Sequence, residues 1–189
     1  MSRLRPWRVT GSRTLYEDPW VRMRGDDCVA GDGRPLGHFH VLDYRDWVHV
    51  VAIDADDHVI LVRQYRHGFG GLSLELPGGM VDAADPDIPT AAARELMEET
   101  GYAAPVMRLL QTLTPNSATH TNRLYALLAE GVVPAGGQRL DEGEEIEIVR
   151  LPVAEAVRTA LSGGMVHAMH IAALLMGLQA AGRLKSVLP

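Results

Sequence analysis

The sequence predicts an α/β protein with a mixed sheet, helices on both faces of that sheet, and a small antiparallel β extension at the N-terminus. Short apolar segments separated by turn residues are typical of strands. A glycine turn leads into an acidic helical segment in the middle of the chain, and two apolar helical segments follow near the C-terminus. The 189 residues fit one main domain, predicted at 46–189, after an appended element at 1–45.

The composition narrows the class of protein. The chain is 47% hydrophobic and 22% charged, which is ordinary for a globular protein with a real core. A net charge of −6 argues against nucleic acid as the main partner. The sequence contains no run of about 18 apolar residues, so no membrane span is predicted. The lone Cys28 and the absence of an apolar segment after the first arginines lead us to expect a cytoplasmic protein without a signal peptide.

The N-terminal extension is predicted from alternating segments. Residues 7–23 contain two of them, interrupted at 17–19. A turn-rich segment at 32–37 precedes a third strand, Phe39–Tyr44. These strands predict a small antiparallel sheet.

The main domain begins with a predicted hairpin of Trp47–Ile53 and His58–Gln64, followed by a strand at Leu72–Leu76. Residues 131–138 are predicted to be a Pro/Gly linker. Three further strands and two helices complete the prediction: strands Val106–Leu113, Asn122–Ala129 and Ile146–Leu151, a helix from Pro152 through Leu161, and a last helix Val166–Ala181.

A central helix is predicted to begin near Ile88. Asp87 is a good N-cap residue, and Pro89 suits a first turn. Gly101 is predicted to end the helix as a C-cap glycine.

This helix carries a carboxylate cluster. Glu95, Glu98 and Glu99 share one face at helical spacing, so their charges repel unless a cation lies between them. Mg²⁺ prefers such oxygen ligands. Arg94 is placed to hold Glu98, and the glycine turn at 77–79 offers bare backbone to a ligand. The alternative is a solvated helix face, which is what most glutamate runs are.

The stretch Leu74–Tyr102 resembles a Nudix box, G-x5-E-x7-R-E-U-x-E-E-x-G-U, in which U is a bulky apolar residue. Gly79 opens it, and residues 94–102 match the closing half at every fixed position. The middle departs from the pattern, because Asp85 replaces the first glutamate and eight residues separate it from Arg94. The resemblance implies a Nudix-type α/β/α sandwich and a Nudix hydrolase.

The resemblance also implies a metal site and its ligands. Glu95 and Glu99 are the expected ligands of Mg²⁺, for which Mn²⁺ is a possible substitute, and Glu98 shares the cluster. The backbone carbonyl of Gly78 is the expected additional ligand. Arg94 is expected to orient the carboxylates during catalysis.

One branch of the family is a closer match. Gln64–Arg66, a loop and then Leu-Glu-Leu-Pro-Gly-Gly resemble the hydrolases of ADP-ribose and nucleotide sugars. That resemblance implies that Arg66 reaches the diphosphate or the terminal ribose. It also implies a catalytic base in the acidic loop, where Glu144 aligns best and Glu142 and Glu145 are alternatives. A solvated arginine and a mobile acidic loop are the competing interpretations.

A polar loop at 114–120 reads Thr-Pro-Asn where this branch often has Ser-Pro-Gly. Two interpretations of this loop remain open: a sugar or base of the substrate binds to Asn116, Ser117 and His120, or these residues form turns. The identity of the substrate is therefore left open.

A pair of histidines lies three residues apart on the last predicted helix. Without a nearby third ligand, His167 and His170 are expected to be helix-surface residues rather than a zinc site.

The resemblance implies hydrolysis of the diphosphate bond in a small-molecule nucleoside diphosphate derivative, ADP-ribose or a nucleotide sugar. The products would be a nucleoside monophosphate and a phosphorylated sugar. By analogy, the N-terminal sheet implies a homodimer. Two alternatives are a regulator that binds nucleotide ligands without hydrolysis and a nucleoside triphosphate pyrophosphohydrolase.

Overall fold

The computed structural model of the chain describes residues 5–184, which contain eleven strands and three helices. The contacts between residues divide the chain into two units. The first comprises 1–46 with 114–123, and the second comprises 47–113 with 124–189. Within residues 5–184, no helix has both the length and the apolar character needed to cross a membrane.

The first unit contains an antiparallel sheet of β1 (Arg8–Glu17), β2 (Arg22–Val29) and β3 (Pro35–Asp43), in that order. This confirms the predicted N-terminal sheet. The loop at 114–123 belongs to the same unit, because Leu42 in β3 exchanges backbone hydrogen bonds with residues 119 and 121.

The second unit contains the remaining elements. Its strands are β4 (Trp47–Asp54), β5 (His58–Arg66), β6 (Gly71–Glu75), β7 (Gly78–Met80), β8 (Tyr102–Ala103), β9 (Arg108–Leu113), β10 (Leu124–Pro134) and β11 (Ile146–Pro152). Its helices are α1 (Ile88–Thr100), α2 (Val153–Leu161) and α3 (Ala168–Ala180).

The sheet of the second unit is mixed, as predicted. Its main path runs β11-β5-β4-β10-β8, while β6 pairs with β5, β7 with β4, and β9 with β10. β4 and β10 are parallel, and the other pairings are antiparallel. β4 therefore lies at the centre, with β7 and its glycine turn paired to its first residues.

The two faces of this sheet are covered by different helices. Side chains alternate along a strand, so β4 supplies both faces. Val48, Val50 and Ala52 pack in the cluster that contains α1. Val51 and Ile53 pack in the cluster that contains α2 and α3. Burial of both strand faces produces the predicted α/β/α sandwich.

Several predicted boundaries are wrong. The third strand begins at Pro35, inside the predicted turn at 32–37. The linker predicted at 131–138 begins later, because β10 continues to Pro134 by pairing with β8. Pro152 is the last residue of β11 and the N-cap of α2, rather than a helical residue. The last helix is Ala168–Ala180, shorter than predicted at both ends.

Candidate active site

The helix α1 is anchored at both ends by the predicted caps. Asp87 Oδ1 accepts a hydrogen bond from the backbone N–H of Thr90 at 2.8 Å. Gly101 adopts a left-handed conformation with φ 69°, and its N–H donates to the carbonyl of Met97. Leu96 is fully buried on the inner face of the helix. These contacts set the rotation of α1 and hence the direction of its glutamates.

Glu99 is held against the glycine turn. It is 5% exposed, and its Oε2 accepts a hydrogen bond from the N–H of Gly78 at 2.8 Å. Gly78 has φ 155°, and a Cβ there would lie 2.0 Å from the carbonyl oxygen of Val48. Only glycine fits a backbone placed so close to β4.

Glu95 faces the same turn. A Cβ on Gly79 would lie 2.7 Å from each Glu95 carboxylate oxygen, so this glycine leaves the space that the carboxylate occupies. Burial raises the pKa of Glu95 to about 7, against the opposing effect of Arg94. The charges of Glu98 and Glu144 raise it further.

The pKa of Glu99 is raised to about 8. Burial is the main cause, and the hydrogen bond from Gly78 opposes it. The negative charges of Glu95 and Glu144 add to the shift. A buried and a partly buried carboxylate whose charges repel each other form a site where a cation would relieve the repulsion.

Arg94 connects the helix with the preceding loop. Its Nη1 donates to Glu95 Oε1 at 3.0 Å and to Glu98 Oε2 at 2.9 Å, and its Nη2 donates to the carbonyl of Met80 at 3.0 Å. Asp85 accepts from both Nε and Nη2 of Arg94, at 3.2 Å and 2.9 Å. The departure from the family pattern at Asp85 thus still yields a bidentate ion pair.

The donors fit a hard divalent cation in type and charge, since carboxylate oxygens suit Mg²⁺ and Mn²⁺. The space that Gly79 leaves for Glu95 and the raised pKa values of Glu95 and Glu99 agree with such a partner. Among residues 5–184, however, no three His, Cys, Asp or Glu side chains form a ready-made metal site. The assignment of Gly78, Glu95, Glu98 and Glu99 as ligands stays a prediction.

Arg66 is the last residue of β5. It forms a bidentate ion pair with Glu75, with distances of 3.0 Å from Nε to Oε1 and 2.6 Å from Nη2 to Oε2. Glu75 is fully buried, whereas the Arg66 side chain remains 45% exposed. The Glu75 hydrogen bond is the main cause that raises the pKa of Arg66, and the charges of Glu99 and Glu144 contribute. Arg66 therefore lies within electrostatic range of the acidic cluster.

Glu144 lies in the exposed loop before β11. Its Oε2 accepts a hydrogen bond from the N–H of Asp141 at 3.0 Å. Its charge raises the pKa of both Glu95 and Glu99, which brings it into the electrostatic range of the cluster. Its role as base stays a prediction, as do the alternatives Glu142 and Glu145.

Gln138 is a site residue that the sequence did not predict. Its Nε2 donates to the carbonyl of Glu99 at 2.7 Å and to the carbonyl of Ile146 at 3.1 Å. The N–H of Arg139 donates to the carbonyl of Glu98 at 2.8 Å. These bonds tie the acidic loop to the end of α1. A glutamine inside a Pro/Gly-rich segment carries no sequence signal for this role.

Asn116 and Ser117 lie in the first unit. Asn116 Oδ1 accepts from the N–H of Ala118 at 3.1 Å, so this side chain forms a turn, one of its two predicted roles. The ring of His120 packs edge-on against Tyr44 at 5.1 Å. Substrate binding by Asn116 and Ser117 stays a prediction.

The prediction that His170 lies on the helix surface is wrong. His170 is 3% exposed, its Nδ1 accepts from the N–H of Leu76 at 3.1 Å, and its ring stacks on His49 with centroids 3.7 Å apart. His167 is half-buried beside it. The position of Glu75 between two apolar residues was a sequence signal for this cluster. A carboxylate there is expected to be buried, and a buried carboxylate needs polar partners.

Comparison with known families assigns the class of protein. The family model for the NUDIX domain matches residues 43–170, more than half of the chain. The model for the nucleoside diphosphate sugar hydrolase N-terminal domain matches residues 7–42. The chain belongs to the Nudix family and is a Nudix hydrolase, which confirms the resemblance of its central stretch.

Individual relatives narrow the comparison. The chain is 32% identical to the ADP-ribose pyrophosphatase of Mycobacterium tuberculosis (strain ATCC 25618 / H37Rv), over 89% of this chain and 82% of that protein. It is 29% identical to the ADP compounds hydrolase NudE of Escherichia coli (strain K12), over 70% and 69%. A crystal structure of an ADP compounds hydrolase shares the fold, with a TM-score of 0.83, 24% identity, and coverage of 97% of this chain and 100% of that chain.

Proposed function

We propose that this Nudix hydrolase cleaves the diphosphate bond of a small nucleoside diphosphate derivative, ADP-ribose or a nucleotide sugar, with Mg²⁺ as cofactor and Mn²⁺ as a possible substitute. The observation that carries the proposal is that a half-exposed arginine lies within electrostatic range of the acidic cluster. Besides the Glu75 hydrogen bond, the charges of Glu99 and Glu144 raise the pKa of Arg66, whose side chain is 45% exposed. The relatives named as ADP-ribose pyrophosphatase and ADP compounds hydrolase support the same substrate class.

The substrate's two phosphates carry a compact negative charge, which Arg66 is placed to contact through the exposed part of its guanidinium. When bound among Glu95, Glu98, Glu99 and the Gly78 carbonyl, Mg²⁺ would supply the charge neutralisation that the diphosphate needs. Arg94 holds the carboxylates of Glu95 and Glu98 in place during the reaction.

Hydrolysis requires a base for the attacking water. Glu144 is exposed on the loop that Gln138 ties to α1, and it accepts the proton that water releases. The water oxygen bonds to one phosphorus as the bridging P–O bond breaks. The bridging oxygen leaves with the other phosphate, so the products are a nucleoside monophosphate and a phosphorylated sugar.

Turnover of a panel of nucleoside diphosphate derivatives tests the proposal. ADP-ribose, ADP-sugars, UDP-sugars, GDP-mannose and a dinucleotide are incubated with the protein and Mg²⁺, and the products are separated by chromatography. We expect one of them to yield a nucleoside monophosphate. Glu99→Gln should lower kcat about 10²–10³-fold, the loss typical of removing one electrostatic stabilising group.

Glu155→Gln is the matched control, because Glu155 is exposed on α2 and outside the site. It should leave kcat within about twofold, as surface substitutions usually do. Tight binding of these compounds without turnover would favour the regulator. Preferential turnover of nucleoside triphosphates would favour the pyrophosphohydrolase.

A further inference from the structure

A buried carboxylate sits directly behind Arg66. Glu75 is fully buried at the end of β6, and an isolated charge there would be strongly disfavoured. Both of its oxygens lie within 3.2 Å of the Arg66 guanidinium, through Nε and Nη2. This geometry engages one edge of the guanidinium and directs the other edge away from Glu75.

His170 provides a second contact to the same carboxylate. The N–H of Leu76 donates to His170 Nδ1 at 3.1 Å, so Nδ1 is the acceptor and the neutral ring carries its proton on Nε2. His170 Nε2 lies 3.3 Å from Glu75 Oε2. One imidazole therefore connects α3 to the Glu75 carboxylate at the end of β6 and to the backbone N–H of the next residue, Leu76.

The imidazole is itself held by its surroundings. The ring of His49 stacks on it with centroids 3.7 Å apart and an interplanar angle of 15°. Leu174 and Leu178, one and two turns further along α3, are fully buried in the core. The helix thus sets where the His170 ring lies, and the ring restricts where the Glu75 carboxylate lies.

We propose that Glu75 and His170 are positioning residues that hold the Arg66 guanidinium at the diphosphate of the substrate. The inference rests on the proposed function for the part that Arg66 plays. A free arginine side chain loses rotamer entropy when a ligand fixes it, and a bidentate partner places the planar guanidinium before the ligand arrives. His170 does not touch the substrate, and its effect passes through Glu75 and Arg66.

Two histidine variants separate the contacts. His170→Asn retains an acceptor near Nδ1 for the Leu76 N–H but removes the ring nitrogen Nε2 that lies 3.3 Å from Glu75 Oε2. His170→Gln places an amide near Nε2 for Glu75 and removes the acceptor for Leu76. His40→Asn is the matched control, since His40 is exposed on β3 in the first unit.

The experiment is a double-mutant cycle in the full chain with Arg66→Met. KM and kcat are measured with ADP-ribose and Mg²⁺. The Kd is measured for an ADP-ribose analogue with a methylene group in place of the bridging oxygen. We expect His170→Asn to raise KM and Kd about tenfold with kcat within about twofold, as loss of uniform binding does. In the Arg66→Met background the same substitution should change Kd less than twofold.

An equal effect of His170→Asn in both backgrounds, or no effect in either, overturns the inference. A smaller effect of His170→Gln and no effect of His40→Asn support it. Glu75→Gln keeps the shape of the buried side chain and is the second test if His170→Asn fails to fold in thermal unfolding. It should raise Kd only while Arg66 is present.

Analogue binding without turnover of any parent compound overturns the proposed hydrolysis alone. Failure of the wild-type protein to bind the corresponding methylene analogue of any compound in the panel overturns both.

Discussion

Arg94 binds Asp85 in the preceding loop and two glutamates of α1. These contacts explain how the Nudix box keeps its local structure although its middle departs from the family pattern. Asp85 has a shorter side chain than the glutamate of the family pattern, and its loop is one residue longer. The Asp85 carboxylate nevertheless accepts hydrogen bonds from Nε and Nη2 of Arg94. Arg94 is then free to bind Glu95 and Glu98 through Nη1.

Asp85→Asn should weaken this bidentate pair and loosen Arg94. We expect kcat/KM to fall about 10–100-fold, the range found when a group that orients metal ligands is removed. Steady-state kinetics with Mg²⁺ measure the change. Asp82→Asn is the control, because the Asp82 carboxylate is half exposed and 3.8 Å from Arg94. Equal losses in both variants would contradict the role of Asp85.

At the scale of elements, the acidic loop before β11 is placed by contacts with α1. Gln138 bonds the carbonyl of Glu99 at the end of α1 and the carbonyl of Ile146 at the start of β11. A loop of glutamates repels the acids of α1, so its position depends on such neutral hydrogen bonds. The helix end thereby determines how far Glu144 lies from the cluster.

Gln138→Ala should release this loop and lower kcat about tenfold with little change in KM, because proton removal by a positioned base contributes about 10²–10⁴-fold. Single-turnover rates measure the chemical step directly. Gln179→Ala, on the exposed side of α3, is the matched control and should not change the rate. An unchanged rate in Gln138→Ala would show that Glu144 is not held by this contact or is not the base.

At the scale of the whole molecule, the buried imidazole of His170 links stability to pH. Burial lowers the pKa of His170 well below its usual value, and the positive charges of His167 and Arg66 contribute. Glu75 and His49 also pack against the ring. The unfolded chain takes up a proton near pH 6.5, whereas the folded chain keeps this ring neutral at lower pH.

The free energy of unfolding of the wild type should therefore fall relative to that of His170→Asn as pH drops below about 6.5. The expected slope of the difference is about 1.4 kcal/mol per pH unit until the folded ring is protonated. Urea unfolding of both proteins from pH 7.5 to 5 measures it. A difference that is constant over this range would contradict a neutral, buried His170.

The first unit presents several exposed apolar side chains along its N-terminal strand and turn: Trp7, Val9, Leu15, Tyr16 and Trp20. We expect a homodimer in which this surface is covered. The double variant Val9→Glu/Leu15→Glu should shift the mass measured by light scattering from the dimer to the monomer of 20.6 kDa. Val106→Glu, an exposed valine of the second unit, is the control. A monomeric wild type, or a dimer that survives the double variant, would contradict this surface.

The sequence by itself determined the structural features that depend on residues close together in the chain. The caps of α1, the shared face of Glu95, Glu98 and Glu99, and most strands follow from local spacing and turn chemistry. The family also follows, because the closing half of the box is a contiguous motif.

Only the tertiary structure decided the contacts between distant segments. His170 meets Leu76 across 94 residues, and Gln138 meets Glu99 across 39. Their partners are backbone groups and a buried carboxylate, which leave no periodic pattern in the sequence. The physical reason is that burial creates these demands: a carboxylate or carbonyl needs a specific donor once water is excluded, and the fold alone determines which residue supplies it.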